Sequence, residues 1–200
     1  LAIEEINEAG GLKVGARRVK VEFVVKDDES KPDVAIRRFR ELVFDEKVHA
    51  IIGQTFAPIS AALNKEVFKN PVAYFPVNVV SLDMFKKGEM APYTFAVHGS
   101  AYAAGYGSAA YIVKKLGYKN IYFFAPAYAF GWDQWKGAKA ALDKLGAKYK
   151  YIEAPVGTAD FTPYLLEIEK AQPEIVMLAH WGVDAINVLK QAYEIGLKNK

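Results

Sequence analysis

Ile121-Tyr122-Phe123-Phe124-Ala125 is a short apolar run, Trp132 to Leu145 is an amphipathic segment of helical length, and Tyr149-Lys150-Tyr151-Ile152-Glu153 is a second short run. That order decides the fold. Two strands joined through a helix lie parallel, because a parallel pair needs a long crossover that a hairpin turn cannot supply. The alternation continues downstream with a helix over Thr162–Lys170, a strand over Ile175–Ala179 and a helix over Val183–Ile195, where Gly196 caps the end. Upstream it gives a helix from about Tyr102 to Leu116 and strands over Tyr93–Val97, Val72–Phe75, Ala50–Gly53 and Val19–Val25. Pro32 and Pro58 stand where a first helical turn tolerates proline, each opening a helix between two of these strands. The expected class is α/β, an open, doubly wound parallel architecture with helices on both sheet faces.

Composition sets the outer limits. A chain of 200 residues that is 52% hydrophobic buries roughly three quarters of its unfolded surface and needs no disulfide or metal to fold. It carries 26 basic and 23 acidic residues, interspersed along its length, which argues against a nucleic-acid groove. The absence of cysteine excludes a disulfide framework and thiolate ligands. Ala91 to Val113 lacks charged residues over a length that spans a bilayer, but it includes Pro92, His98, Ser100, Ser108 and three glycines, and reads as strand, crossover and helix start.

In open α/β sheets, ligands bind outside the carboxyl ends of the strands. That rule selects four loops. Gln54 and Thr55 follow Ala50–Gly53, and the helix that starts at Ala57-Pro58 offers backbone N–H groups to a carboxylate. Asn78, Val80 and Ser81 follow Val72–Phe75, with Ser81 equally placed to cap a short Leu82–Phe85 helix. Phe130 in the Tyr128–Trp132 loop, and His180 and Trp181, supply aromatic walls. His98 sits at the small-residue segment His98-Gly99-Ser100, where two βα blocks meet.

Several other motifs carry bland readings. Gly105-Tyr106-Gly107-Ser108-Ala109-Ala110 matches a dinucleotide fingerprint, but its nearest strand ends at Val97 and no acid follows about 20 residues on. Its glycines are expected to pack a helix on the sheet. Asp27-Asp28-Glu29 reads as a strand end and helix-start charges rather than a cation site. The three histidines are isolated, and no nucleophile elbow or P-loop is present, so neither a catalytic residue, a metal nor a cofactor is expected.

The opening Leu1-Ala2-Ile3-Glu4-Glu5-Ile6-Asn7-Glu8-Ala9-Gly10-Gly11, Lys26-Asp27-Asp28, Ile51-Ile52-Gly53, Phe130-Gly131, Thr158-Ala159-Asp160-Phe161 and Ala192 to Leu197 form an ordered set over the whole chain. The set resembles the LivJ-like receptors of branched-chain amino-acid ABC transporters, type I periplasmic binding proteins. The resemblance implies a first lobe over residues 1–98, lacking its first strand, and a second over 99–200, incomplete, so that the chain looks truncated at both ends. It implies carboxylate binding at Ala57 and the Asn78–Ser81 stretch, with aromatic contacts from Phe130 and Trp181. The family's serine position is Ala57 here and its Ala-Ala-Thr stretch reads Asn78-Val79-Val80, two departures from the family's α-amino-acid pattern.

The expected function is an extracytoplasmic solute-binding receptor of an ABC importer. It would act as a monomer that holds an amino acid, amide or small amphipathic acid between two lobes and presents it to a membrane permease. A ligand-sensing domain is the alternative, and a Rossmann-type nucleotide-dependent enzyme the third. Residues 1–200 alone are expected to leave apolar surface uncovered at Ala50–Gly53 and Val72–Phe75.

Overall fold

The computed structural model describes residues 1–78 and 82–197. The elements run α1 (Ala2–Glu8), β1 (Leu12–Val14), β2 (Arg17–Val19), α2 (Pro32–Arg40), β3 (Ala50–Gly53), α3 (Ala57–Lys69), β4 (Ala73–Pro76), α4 (Ala101–Tyr111), β5 (Asn120–Pro126), α5 (Ala129–Leu145), β6 (Lys148–Ala154), α6 (Thr162–Lys170), β7 (Ile175–Leu178) and α7 (Gly182–Glu194). A 3₁₀ turn covers Leu82–Phe85, and α2 and α4 each run on into a π-helical turn, over Glu41–Asp45 and Ile112–Leu116.

The best-formed part is built around β5. All seven of its residues pair in parallel with β6, and Ile121 to Phe124 pair in parallel with β7 on the other side, giving the order β6-β5-β7. Successive side chains of a strand point to opposite faces. Ile121, Phe123 and Ala125 therefore join α4 and α5 through Ala109, Ala138, Ala141 and Leu142, whereas Tyr122 and Phe124 join α6 and α7 through Phe161, Leu165, Ile168 and Val188. Burial on both faces is the reason an unbroken apolar run reads as a strand here.

The earlier residues form a smaller parallel pair, β3 with β4, in register from Ala50↔Ala73 to Gly53↔Pro76. Ile51 and Tyr74 pack on one face against Phe39 of α2 and Ile59, Leu63 and Val67 of α3. The other face is bare at Ile52, which is 72% exposed, and Phe75 on that face stacks on Phe95 at 5.2 Å. Helices thus cover one face of this sheet, not both as expected. Apolar exposure at β3 follows the expectation, but Val72 and Tyr74 beside it are buried.

Two expected strands are not formed. In Val19–Val25 only Val19 is in a ladder, and it pairs backward with Leu12 in an antiparallel hairpin closed by Gly15 at positive φ. The N–H of Val21 donates to the Asn7 side chain at 2.8 Å and its carbonyl accepts from the same amide at 2.9 Å, so an asparagine stands in for a neighbouring strand. Phe23, Val24 and Val25 are exposed. Tyr93–Val97 contributes one parallel bridge, Tyr74↔Thr94, before the chain departs.

The GxGxxA segment lies inside α4. A Cβ on Gly105 would stand 2.0 Å from the Gln134 carbonyl oxygen, and one on Gly137 would stand 2.0 Å from that of Tyr102. These glycines bring α4 and α5 together backbone to backbone; the partner of Gly105 is α5, not the sheet, and Gly107 faces open space. Asp27 and Asp28 accept from the N–H groups of Glu29 and Ser30, which makes this segment a turn. Among the described residues, no helix is long and apolar enough to cross a membrane.

Candidate functional site

The ends of β3, β5 and β7 each lead into a helix whose N-cap residue is aromatic: Phe56 before α3, Tyr128 before α5 and Trp181 before α7. None of the three side chains caps its helix by a hydrogen bond, so the first-turn N–H groups of α5 and α7 keep their capacity for an outside acceptor; in α3 only Ala57 does, because Pro58 has no N–H and Ile59 donates to the Phe56 carbonyl at 2.9 Å. The three rings meet. Phe56 and Tyr128 lie 5.2 Å apart between centroids, tilted by 43°, and the indole N–H of Trp181 donates to the Tyr128 hydroxyl at 2.7 Å. Phe130 also stacks on Tyr128, at 5.9 Å. Tyr128 is therefore the hub of a group drawn from both sheets.

Local sequence explains how the hub is held. A Cβ on Gly131 would stand 2.1 Å from the Pro126 carbonyl oxygen, so only glycine lets the first turn of α5 close onto the end of β5. That is the physical content of the Phe130-Gly131 pair. It also starts α5 at Ala129, three residues before the expected Trp132. A hydrogen bond also links the two parts: Asp133, one turn into α5, accepts from the N–H of Leu82 in the 3₁₀ turn at 2.8 Å and pairs with Lys136 at 3.2 Å.

The expected site residues divide into three groups. Phe130 and Trp181 belong to the aromatic group, Trp181 being 52% exposed. Thr55 and Asn78 tie two strand-end loops together, the Asn78 amide donating to the Thr55 carbonyl at 3.3 Å, and Ala57 is buried as the first residue of α3. Gln54, His98 and His180 point elsewhere. Gln54 has a φ of 60°, and its amide is enclosed beside the Tyr74 phenol, which burial pushes far up against a weak opposing interaction with that amide. His98 is exposed, its ring 3.1 Å from the Gly99 carbonyl. Val80 and Ser81 lie outside the described residues.

His180 is 8% exposed and faces the α6–α7 side, its ring 4.4 Å from Phe124 and 5.5 Å from Phe161. Neither ring nitrogen has a hydrogen-bond partner. Burial lowers its pKa to about 4, against opposing pulls from the Asp184 carboxylate and from the nearby Phe124 backbone, whose geometry falls short of a full hydrogen bond, so it is neutral at pH 7. Burial also raises the Tyr128 phenol, which keeps its proton at neutral pH.

Phe56 and Tyr128 were both absent from the expected set. Their sequence signal is positional: each is the last residue before a helix that follows a buried strand. What no local pattern shows is that the two rings meet across the sheets. Two surface hollows, of about 310 Å³ along α2 at Arg37, Arg40 and Phe44 and about 220 Å³ beside β7 at Ser108, Ile112 and Met177, include none of the strand-end loops.

Two α/β blocks whose strand-end loops meet are the arrangement to set beside the family comparison. The family model described as periplasmic binding protein matches residues 1–200, and the chain belongs to that family. It is 26% identical over 98% of its length to an amino acid binding protein of Pseudomonas aeruginosa, of which it covers 51%. Among solved structures it resembles an ABC transporter substrate-binding protein from Sphaerobacter thermophilus, at 28% identity and a TM-score of 0.81, over 98% of this chain and 53% of that one. An ABC transporter solute-binding protein of R. palustris in complex with 4-hydroxybenzoate shares the fold, with a TM-score of 0.85 at 24% identity over 98% and 52% of the two chains. The chain thus spans about half the length of the relatives it matches.

Proposed function

We propose that the protein is the solute-binding receptor of an ABC importer and that it holds a small amphipathic molecule between two lobes, residues 1–98 and 99–200. The observation that carries this is the aromatic group at the strand ends, Phe56 from one sheet and Tyr128, Phe130 and Trp181 from the other. A ligand in contact with residues of both sheets favours the state in which they are close, and that differential affinity drives closure. Aromatic walls supply apolar contact, and the uncapped first turns of α5 and α7, with the Ala57 N–H of α3, supply donors to a carboxylate.

Family membership supports a binding role over an enzymatic one, the family being one of substrate-binding proteins. The names of its relatives point to amino acids in one case and an aromatic acid in another. In this reading the receptor works outside the cytoplasm, as a monomer, and delivers its solute to a membrane permease. No nucleic acid, metal or cofactor takes part.

Screening amino acids, amides, short acids and aromatic acids by thermal unfolding, followed by recovery of each compound that binds, tests the proposal. A stabilising compound recovered unchanged is the expected result. Turnover of every compound that binds, or stabilisation by none, overturns it.

A further inference from the structure

Tyr128 uses one of its faces on Phe130, stacked with the planes 22° apart. The other contact is Phe56 at 5.2 Å, and Phe56 comes from the β3 loop. Two rings at that separation touch directly. A third planar ring placed between them needs about 7 Å, twice the ordinary carbon–carbon contact of about 3.5 Å. The Phe56–Tyr128 pair is therefore closed on itself, and a planar group enters only if Phe56 withdraws by roughly 2 Å.

The hydroxyl of Tyr128 accepts from the Trp181 indole at 2.7 Å, and that bond fixes the indole beside the same position. The hydroxyl keeps its own proton, which no acceptor takes among the described residues, so it remains a donor. The group thus offers two aromatic faces, an indole locked at its side and one free O–H.

We infer that Tyr128 is the platform on which the solute's own aromatic ring stacks, taking the place that Phe56 occupies in this structure. The inference rests on the binding-receptor reading above and narrows its ligand to a compound with a planar aromatic ring and a polar acceptor within reach of the Tyr128 O–H. An aliphatic side chain fills the same volume but lacks the ring-to-ring electrostatics that Phe56 provides now. Two roles divide within the residue: its ring receives the ligand ring, and its oxygen positions Trp181.

Two matched pairs test this by calorimetric titration of the whole chain: benzoate against cyclohexanecarboxylate, and L-phenylalanine against L-leucine. Within each pair the polar head is the same and the apolar part alone changes. The aromatic member of at least one pair is expected to bind about ten-fold more tightly than its partner. Tyr128→Phe keeps the ring and removes the acceptor of the indole N–H. It is expected to cut aromatic affinity about five-fold and to change the aliphatic member less than two-fold, a loss of selectivity that a merely structural role would not produce. Aliphatic binding equal to or tighter than aromatic binding, or no binding by any of the four, overturns the inference. The receptor reading survives either of those results where the broader screen finds a ringless solute recovered intact, and falls where that screen finds none. Selectivity unchanged in Tyr128→Phe also overturns the role assigned to its hydroxyl.

Discussion

Replacing His180 by phenylalanine is expected to remove most of one pH-dependent component of stability. The ring is 8% exposed between Phe124 and Phe161, both nitrogens lack partners, and its folded-state pKa of about 4 lies below the ordinary value of 6.5. The Asp184 carboxylate on α7 and the Phe124 backbone oppose the shift, and the uncharged Tyr164 ring on α6 lies against Phe124 and Phe161. Because the unfolded chain binds the proton more readily, the native state has its full stability above about pH 6.5, loses it as pH falls from 6.5 to about 4, and changes no further below that. A difference of about 2.5 pKa units at about 1.4 kcal/mol each amounts to roughly 3–4 kcal/mol across the window. Phenylalanine fills the same aromatic slot without a titrating group, so at pH 7.5 the two proteins are expected to agree within about 1 kcal/mol. At pH 4.5 the variant is expected to be more stable by about 2–3 kcal/mol. Urea unfolding followed by tryptophan fluorescence, at half-unit steps from pH 7.5 to 4, measures this directly. Carboxylates held low by ion pairs, Glu41 by Arg38 and Glu66 by Arg40, also lose stability toward acid, but equally in both proteins. Parallel pH curves for parent and variant would refute the reasoning.

Two further predictions follow from close contacts and from the aromatic group. Gly137→Ala puts a methyl 2.0 Å from the Tyr102 carbonyl oxygen and 2.9 Å from the Tyr106 nitrogen, both backbone, so α4 and α5 must separate at a cost of about 2–4 kcal/mol. Gly107→Ala, on α4 and facing open space, is expected to stabilise by up to about 1 kcal/mol in the same chemical-unfolding assay, and equal effects at the two sites would contradict the packing described for them. Trp181→Ala is expected to weaken the tightest-binding compound of the solute screen by about 1–3 kcal/mol in a calorimetric titration. Unchanged affinity would return Trp181 to a packing role.

How much of this was legible in the sequence follows from how each element is stabilised. The order β5-α5-β6-α6-β7-α7 was read nearly as it stands, and α6 to the residue, because β5 is buried on both faces and each helix has a local boundary such as Pro163 or Gly196. Val19–Val25 has the composition of a strand too, but a strand exists only with a partner, and the partner of Val21 is an asparagine side chain 14 residues away. The β1–β2 hairpin was missed although Gly15-Ala16 between Val14 and Arg17 is a legible two-residue turn. At the site, Trp181 and Phe130 were legible from their place after strands. Gln54 and His180 occupy equivalent places, and their side chains turn inward; position after a strand names the loop, and backbone geometry such as the positive φ of Gln54 decides where the side chain goes.

The central claim, a ligand held between strand-end loops of two sheets, is tested most directly by amide hydrogen exchange with and without saturating amounts of the tightest-binding compound from the screen. The account predicts slowed exchange in three separate segments together: residues 54–57 before and at the start of α3, 128–132 at the start of α5 and 181–185 at the start of α7. Protection confined to one sheet's loops, or centred instead on the hollow along α2 at Arg37 and Phe44, would contradict it.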